Sequence, residues 1–263
     1  MASLEDNAVM LGSLAALAYA ATMMTHEALG HGAYCLAAGG HNVMLTGWME
    51  TCSVSCGRGM KAAGPGVQYG AGLLAWLVLR HLPRDATRLR YFVWLYMTFD
   101  LLIASSYIAF SGITSIGDAA DYIAGLHPSL LWRGGLVLCG SLVYFFSMEV
   151  AAGELRRFCG LDSGIRRLFR LIWVPYVAAG CFACCSGALN KTMEPGAALG
   201  FAAASSFGAG SGMFGLPGLR RGRAAGSGLR ALYLEWSTLW SVAAAVVIVT
   251  FLLFVGPGLK WTT

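Results

Sequence analysis

Two histidines and a glutamate lie close together in an apolar part of the chain, in the segment His-Glu-Ala-Leu-Gly-His at positions 26–31. In zinc hydrolases that carry such residues on one helix, the imidazoles bind the metal and the carboxylate accepts a proton from metal-bound water. This chemistry would make His26 and His31 zinc ligands and Glu27 the general base. The segment is therefore the first candidate for a functional site.

The spacing of the two histidines differs by one residue from the usual His-Glu-x-x-His. Histidines four residues apart share one face of a helix, because successive residues turn by about 100°. His26 and His31 are five apart, so in a regular α-helix they would differ by about 140° and could not bind one ion together.

Two local arrangements would resolve this difference. A one-residue bulge at Leu29 and Gly30 would bring both histidines to one face, since π-bulges are frequent at functional sites and glycine tolerates the distortion. Alternatively Glu27 and His31, four residues apart, are the ligands, and the general base is lost. We favour the bulge, because the six residues resemble the His-Glu-x-x-Gly-His variant of the dipeptidyl peptidase III family, in which both histidines bind zinc.

A catalytic zinc site needs a third protein ligand, and an aspartate within or at the edge of the membrane is the expected source. Asp118 is the first candidate, because its loop is predicted on the same side as the end of the first helix. Asp100, in the body of the third predicted span, is the second, since an acid there is costly and usually functional. Asp121 is the third, and as a loop residue it is expected to be solvated.

The elements that position these residues are predicted to be membrane helices. Of the 263 residues 57% are hydrophobic and 12% are charged, whereas about a quarter of a soluble domain is charged. We predict an all-α polytopic membrane protein in the lipid bilayer, with residues 1–263 forming a single domain. Seven apolar runs are long enough to cross the hydrocarbon layer as helices, near residues 8–25, 62–80, 91–113, 130–152, 171–190, 196–216 and 232–256.

The run at 196–216 is so rich in Gly, Ala and Ser that it is either a tightly packed span or a re-entrant segment.

The net charge of +5 does not indicate nucleic acid binding, because the basic residues are divided among three loops, at 80–90, 154–170 and 220–230. With seven spans these loops lie on one side, which the positive-inside rule makes cytoplasmic. The N-terminus is then cytoplasmic and the C-terminal residues lie outside.

The segment between the first two spans, residues 41–56, is too polar to cross a membrane and is rich in β-formers. We predict a small β-hairpin there, after Gly39 and Gly40 have ended the first helix. Cys52 and Cys56 lie in this segment on the predicted outer side. They either form a disulfide or remain two free thiols.

Residues 26–40, the hairpin, and the segment Lys-Ala-Ala-Gly-Pro-Gly-Val-Gln at 61–68 together resemble the opening of the site-2-protease-like intramembrane metalloproteases. Residues 110–118 resemble the aspartate-bearing region of bacterial peptidase-like relatives of that family. The resemblance covers about the first 125 residues, and it implies a metalloprotease-like core in residues 1–125 followed by additional helices in residues 126–263. It also implies four site residues: His26, His31 and Asp118 as zinc ligands and Glu27 as the base.

Three functions are compatible with these features. The first is a membrane-embedded zinc-dependent hydrolase, and specifically an intramembrane peptidase acting on a transmembrane protein substrate. The second is a non-catalytic metalloprotease-like subunit or scaffold of a larger complex, which a closed or empty site would favour. The third is an ion-coupled transporter, which would need an aqueous path joining Asp100 to Glu149.

Overall fold

The structure is a computed structural model that describes residues 5–160, 164–219 and 231–261. Six helices within these ranges are long and apolar enough to cross a membrane, which indicates an integral membrane protein. In chain order the helices are α1 (Ala8–Ala37), α2 (Gly57–His81), α3 (Thr87–Thr114), α4 (Asp118–Ile123), α5 (Ser129–Cys159), α6 (Ile165–Leu189), α7 (Pro195–Ala203) and α8 (Thr238–Val255). The six membrane-length helices are all of these except α4 and α7.

Helix α1 is the central element of the bundle. It packs against α3, α6 and α8, and because it is apolar on all sides in its first half, it can be covered on several faces at once. Leu11 and Leu14 are completely buried, and Tyr19 lies edge-on to Phe99 of α3 with ring centroids 5.5 Å apart. The helix that carries both histidines is therefore enclosed by the rest of the bundle.

The predicted run at 196–216 is the one that is not among the six helices. Its helix α7 is followed by a π-helical turn, Ala204–Gly208, and a 3₁₀ turn, Ser211–Gly215. It packs tightly on α6, since a Cβ added to Gly187 would lie 2.8 Å from the Cβ of Ala202. By helix length the structure has six spans among its described residues, one fewer than the sequence predicts.

The predicted hairpin is confirmed, and it belongs to a three-stranded sheet. Strands β1 (Asn42–Leu45) and β2 (Glu50–Cys52) pair antiparallel, and β3 (Leu259–Lys260) pairs antiparallel with the other edge of β1. The sequence does not predict β3, because two residues are too few to show an alternating pattern. The sheet brings the segment after α8 next to the end of α1.

A disulfide joins Cys35, in the last turn of α1, to Cys52 of β2. Both predicted alternatives for Cys52, a bond to Cys56 or a free thiol, are therefore wrong. Cys56 is a free thiol whose Sγ lies 3.4 Å from that of Cys52. The physical reason is the length of α1, which continues to Ala37 and so carries Cys35 up to the hairpin.

The end of the bundle away from the sheet is held by a buried ion pair. Arg167 Nε donates to Asp6 Oδ2 at 2.7 Å, and Asp6 Oδ1 accepts the backbone N–H of Leu234 at 2.9 Å. The backbone N–H of Asn7 donates to the Leu234 carbonyl at 2.8 Å. The N-terminal segment, the start of α6 and the approach to α8 thus meet at one end.

Two of the three predicted basic loops lie at this same end. Residues 154–170 include Arg167, and in the loop at 80–90 Arg88 donates to the backbone carbonyls of Glu235 and Trp236 at 3.1 Å each. The third basic loop, residues 220–230, lies outside the described residues. The sheet and α4 are at the opposite end of the bundle.

Replacing Asp6 with Ala is expected to destabilise the fold by about 3–5 kcal/mol, because it removes one partner of a buried ion pair. The free energy of unfolding in detergent measures this effect. Glu5→Ala is the matched control: Glu5 is 67% exposed and pairs with Arg170, so its loss should cost at most about 1 kcal/mol. Equal losses in the two variants would contradict the structural role of Asp6.

Candidate metal centre

The segment that carries both histidines is a π-helix. Residues Thr25–Gly32 are π-helical, between the α-helical parts Ala8–Met24 and Ala33–Ala37 of α1. A π-helix pairs residues five apart rather than four, so side chains five apart come to the same face. The predicted distortion around Leu29 and Gly30 is confirmed, although it extends over eight residues.

Three possible ligand atoms converge at this face. The Nε2 atoms of His26 and His31 are 3.2 Å apart, and Asp118 Oδ2 lies 3.3 Å from the first and 3.2 Å from the second. Ligand atoms 2.0–2.1 Å from a tetrahedral zinc ion are about 3.3 Å from one another. The spacing thus suits a metal, and His26, His31 and Asp118 could hold an ion.

The other nitrogen of each imidazole faces an acceptor. His26 Nδ1 lies 2.9 Å from Gln68 Oε1, and His31 Nδ1 lies 2.8 Å from the backbone carbonyl oxygen of Met60. These oxygens only accept hydrogen bonds, so both Nδ1 atoms carry hydrogen, and a neutral ring then has its lone pair on Nε2.

This tautomer places two nitrogen lone pairs and a carboxylate oxygen opposite one another. Three such atoms repel each other unless a cation lies between them. Metal-binding histidines are commonly oriented in this way, with the second ring nitrogen donating to a carbonyl or carboxylate. The hydrogen bonds of Gln68 and Met60 therefore prepare both rings for a cation.

Asp118 reaches the histidines because of the turn before α4. Ser115 and Gly117 have φ of 60° and 95°, and a Cβ on Gly117 would lie 2.4 Å from the Tyr107 hydroxyl oxygen. That hydroxyl accepts the backbone N–H of Asp118 at 3.2 Å. The turn thus requires glycine and holds Asp118 at the start of α4.

The electrostatic environment of Asp118 favours its carboxylate form. Burial alone would raise the pKa of Asp118. When a proton rather than a metal ion lies on the Nε2 atoms of His26 and His31, hydrogen bonds from these atoms and the positive charge of the rings bring the pKa below its usual value. An ionised Asp118 is the form that binds a cation.

The other aspartates considered as ligands do not join this group. Asp100 is fully buried in α3, where its carboxyl group faces Thr22, Tyr96 and Gln68. Asp121 forms an ion pair with Lys61 at 2.9 Å, where both side chains are exposed. The ligand pair of Glu27 with His31 is also not the one observed, because His26 is the residue that meets His31 and Asp118.

Glu27 lies beside the three ligand atoms without being one of them. It is 6% exposed, the backbone N–H of Glu50 faces its carboxylate, and the carboxylate is close enough to both histidines and Asp118 to interact with them electrostatically. The start of β2 therefore lies against Glu27 at the wall of the site.

Glu50 is a residue of the site that the sequence does not reveal. With the Asn42 amide turned so that its nitrogen faces Glu50, this nitrogen donates to Glu50 Oε1 at 2.8 Å and to the Gly32 carbonyl at 3.3 Å. The other carboxylate oxygen of Glu50 is buried without a partner among the described residues, and burial raises the pKa of this carboxyl. The sequence separation between Glu50 and the histidines gives no signal of their proximity, because only the folding of the hairpin brings Glu50 to the site.

Two glycines allow α1 and α2 to touch at the site. A Cβ on Gly30 would lie 2.6 Å from Gly64 Cα, and a Cβ on Gly64 would lie 2.3 Å from His31 Nε2 and 2.7 Å from His26 Nε2. The α2 backbone at Gly64 therefore supports the imidazoles directly. No other residue fits either position without moving the rings or the helices.

In comparisons with known proteins, no family model matches the chain, and no curated protein or solved structure matches it. The residues of the centre and their geometry are therefore the basis for inferring its function.

If the three residues hold a metal ion, Gly64→Ala is expected to weaken its binding, probed with Zn²⁺, by about 10–100-fold, the range found when the support of metal ligands is disturbed. The methyl group would displace one or both imidazoles from their common focus. Competition with a chromophoric chelator, on protein in detergent, measures the affinity. Gly66→Ala is the control, because a Cβ at Gly66 meets nothing within 4 Å, and equal affinities in the two variants would show that the rings are not held by Gly64.

Proposed function

We propose that this chain is a membrane-embedded zinc-dependent hydrolase, and specifically an intramembrane peptidase. The observation that carries the proposal is the convergence of His26 Nε2, His31 Nε2 and Asp118 Oδ2 beside a buried carboxylate, Glu27. Three protein ligands leave a fourth position of a tetrahedral ion open for water or substrate, as in catalytic rather than structural zinc sites.

Each residue of the site has a part in this chemistry. Zinc bound by the two histidines and Asp118 would polarise a carbonyl group and lower the pKa of a bound water. Glu27 accepts a proton from the attacking water and passes it to the leaving amine, acting as base and then as acid. The Glu50 N–H orients the Glu27 carboxylate for this transfer, and Gln68 and Met60 hold the rings.

The family resemblance supports a peptide as the substrate. The sequence shares with site-2-protease-like metalloproteases the order of a histidine–glutamate helix, a hairpin and a Gly-Pro segment at 61–68. In the structure that segment contributes Gly64, against both imidazoles, and Gln68, a partner of His26. A site enclosed by apolar helices suits a hydrophobic transmembrane segment of a protein substrate.

We further propose that the chain crosses the membrane seven times. Lys191, after α6, donates from its backbone N–H to the carbonyl of Pro257 at 3.4 Å, at the end with the sheet, whereas Leu234 contacts Asn7 at the opposite end. The chain between them passes from one end of the bundle to the other, and it contains the helical run Pro195–Gly215. The pairing of β3 with β1 also supports an odd number of crossings.

The two basic loops beside the N-terminal segment give the orientation of this topology. By the positive-inside rule that end is cytoplasmic, which puts the metal centre, the sheet and the Cys35–Cys52 disulfide near the outer face. A disulfide is stable in an oxidising outer compartment. The disulfide and the distribution of basic residues therefore favour the same orientation of the chain.

Two variants should distinguish metal binding from catalysis: one is expected to lose the zinc, and the other to keep the zinc and lose peptide hydrolysis. Wild-type protein is expected to hold about one zinc ion per chain, the amount that a single catalytic site takes, and His31→Ala is expected to lose most of it. Glu27→Gln should keep the zinc and lose about 10²–10⁴-fold in peptide hydrolysis, the usual contribution of a general base. Metal analysis and cleavage of a transmembrane peptide in detergent measure the two quantities.

Equal zinc content in wild type and His31→Ala would remove the hydrolase proposal. Full zinc content without hydrolysis in wild type would favour a non-catalytic subunit.

The seven-span topology predicts opposite exposure of two positions that flank the run 195–215. In full-length protein carrying Cys56→Ser, a thiol introduced by Lys191→Cys should react with a membrane-impermeant maleimide added outside sealed cells. A thiol introduced by Glu235→Cys should react only after permeabilisation. Labelling of both from the same side would contradict the seventh crossing.

A further inference from the structure

Three sulfur atoms meet where the last turn of α1, the end of β2 and the segment before α2 come together. Cys35 lies in the last turn of α1, Cys52 ends β2, and a disulfide joins the two. Cys56 immediately precedes α2 and is a free thiol with its Sγ 3.4 Å from the Cys52 Sγ. Such a separation is close to van der Waals contact between sulfur atoms. Exchange of thiol and disulfide begins with a thiolate contacting one sulfur of a disulfide.

We propose that Cys35, Cys52 and Cys56 form a thiol–disulfide exchange site that changes which helix is tethered to the hairpin. The Cys56 thiolate attacks the Cys52 Sγ, a Cys52–Cys56 bond forms and the Cys35–Cys52 bond breaks. Cys35 leaves as a thiolate and takes up a proton equivalent to the one that Cys56 released. One thiol and one disulfide are present before and after, so the step needs no oxidant or reductant.

The burial of the three sulfurs determines what each isomer exposes. Cys35 is fully buried, whereas Cys52 and Cys56 are half-exposed. The Cys35–Cys52 bond is therefore shielded on one side, and Cys56 is the thiol that solvent molecules reach. After exchange the disulfide is the more exposed pair and the free thiol is the buried one. A small thiol or disulfide in the outer compartment would act on the site through Cys56 and Cys52.

The exchange would change the support of the metal centre at two points. The present bond ties β2, with Glu50 beside Glu27, to a position four residues after His31. The exchanged bond would tie β2 to the start of α2, four residues before Met60, whose carbonyl accepts from His31. This consequence for zinc rests on the proposed function, whereas the exchange can be measured without any metal.

Disulfide mapping of full-length protein in detergent tests the exchange. Protein held at pH 8 without added thiol is quenched in acid, alkylated, digested and analysed by mass spectrometry. We expect the Cys35–Cys52 peptide as the major species and a Cys52–Cys56 peptide in roughly 0.1–10% of chains, the usual range of a minor state. In Cys56→Ser only the Cys35–Cys52 peptide should be present, and Cys139→Ser, which removes a free thiol in α5, should match wild type.

A second variant keeps the test decisive if the minor species is short-lived. In Cys35→Ser, mild oxidation with a glutathione buffer should join Cys52 to Cys56 in most chains. Wild type that yields only the Cys35–Cys52 peptide, together with Cys35→Ser in which both thiols stay alkylatable, would overturn the exchange.

Zinc affinity tests the link between the exchange and the metal centre. Oxidised Cys35→Ser is expected to bind zinc about tenfold more weakly than wild type, as for other losses of ligand support. Unchanged affinity would overturn that link. Loss of zinc binding in wild type would count against the proposed hydrolase, but it would not affect the sulfur mapping.

Discussion

Backbone hydrogen bonds in lipid have no water to replace them, so a membrane helix can turn a side chain to a new face only if every N–H and C=O stays paired. The π-helical turn at Thr25–Gly32 satisfies this condition, because it changes the pairing from four residues to five without opening the helix. It brings His26 and His31 to one face. The rest of the site depends on that rotation, since Asp118, Glu27 and the helix that carries Gln68 are all arranged around the two rings.

Close packing then fixes where the rings lie. Gly30 and Gly64 let the backbones of α1 and α2 approach so nearly that neither accepts a methyl group, and the α2 backbone supplies one of the two acceptors that orient the imidazoles. The turn before α4 adds the aspartate. The Cys35–Cys52 disulfide holds the hairpin against the last turn of α1, and the Glu50 N–H at the start of β2 faces Glu27. Elements that are distant in sequence thus each contribute one constraint to a small volume.

The sequence predicts the parts of this site that follow from residue type and periodicity. The histidines and Glu27, the need for a helix distortion, the choice of Asp118 and the hairpin come from local spacing and from the order of apolar runs. Glu50, the Met60 carbonyl and Cys35 are not predictable in this way. Glu50 is a single acid in a hairpin, the Met60 carbonyl is a backbone group, and no spacing along the chain shows that Cys35 meets Cys52. Strand β3 and the extent of the helical run at 195–215 depend on packing between segments that are distant in sequence, and a local sequence pattern does not show such contacts.

Strand β1 pairs with β2, which follows it almost at once, and with β3, which lies more than two hundred residues later. During synthesis the chain must therefore insert all its intervening helices before the second edge of β1 is covered. Until then, an open strand edge beside the histidines is available to other polypeptides. The order of biogenesis follows from this: the sheet beside the site is completed last, with the arrival of the final helix.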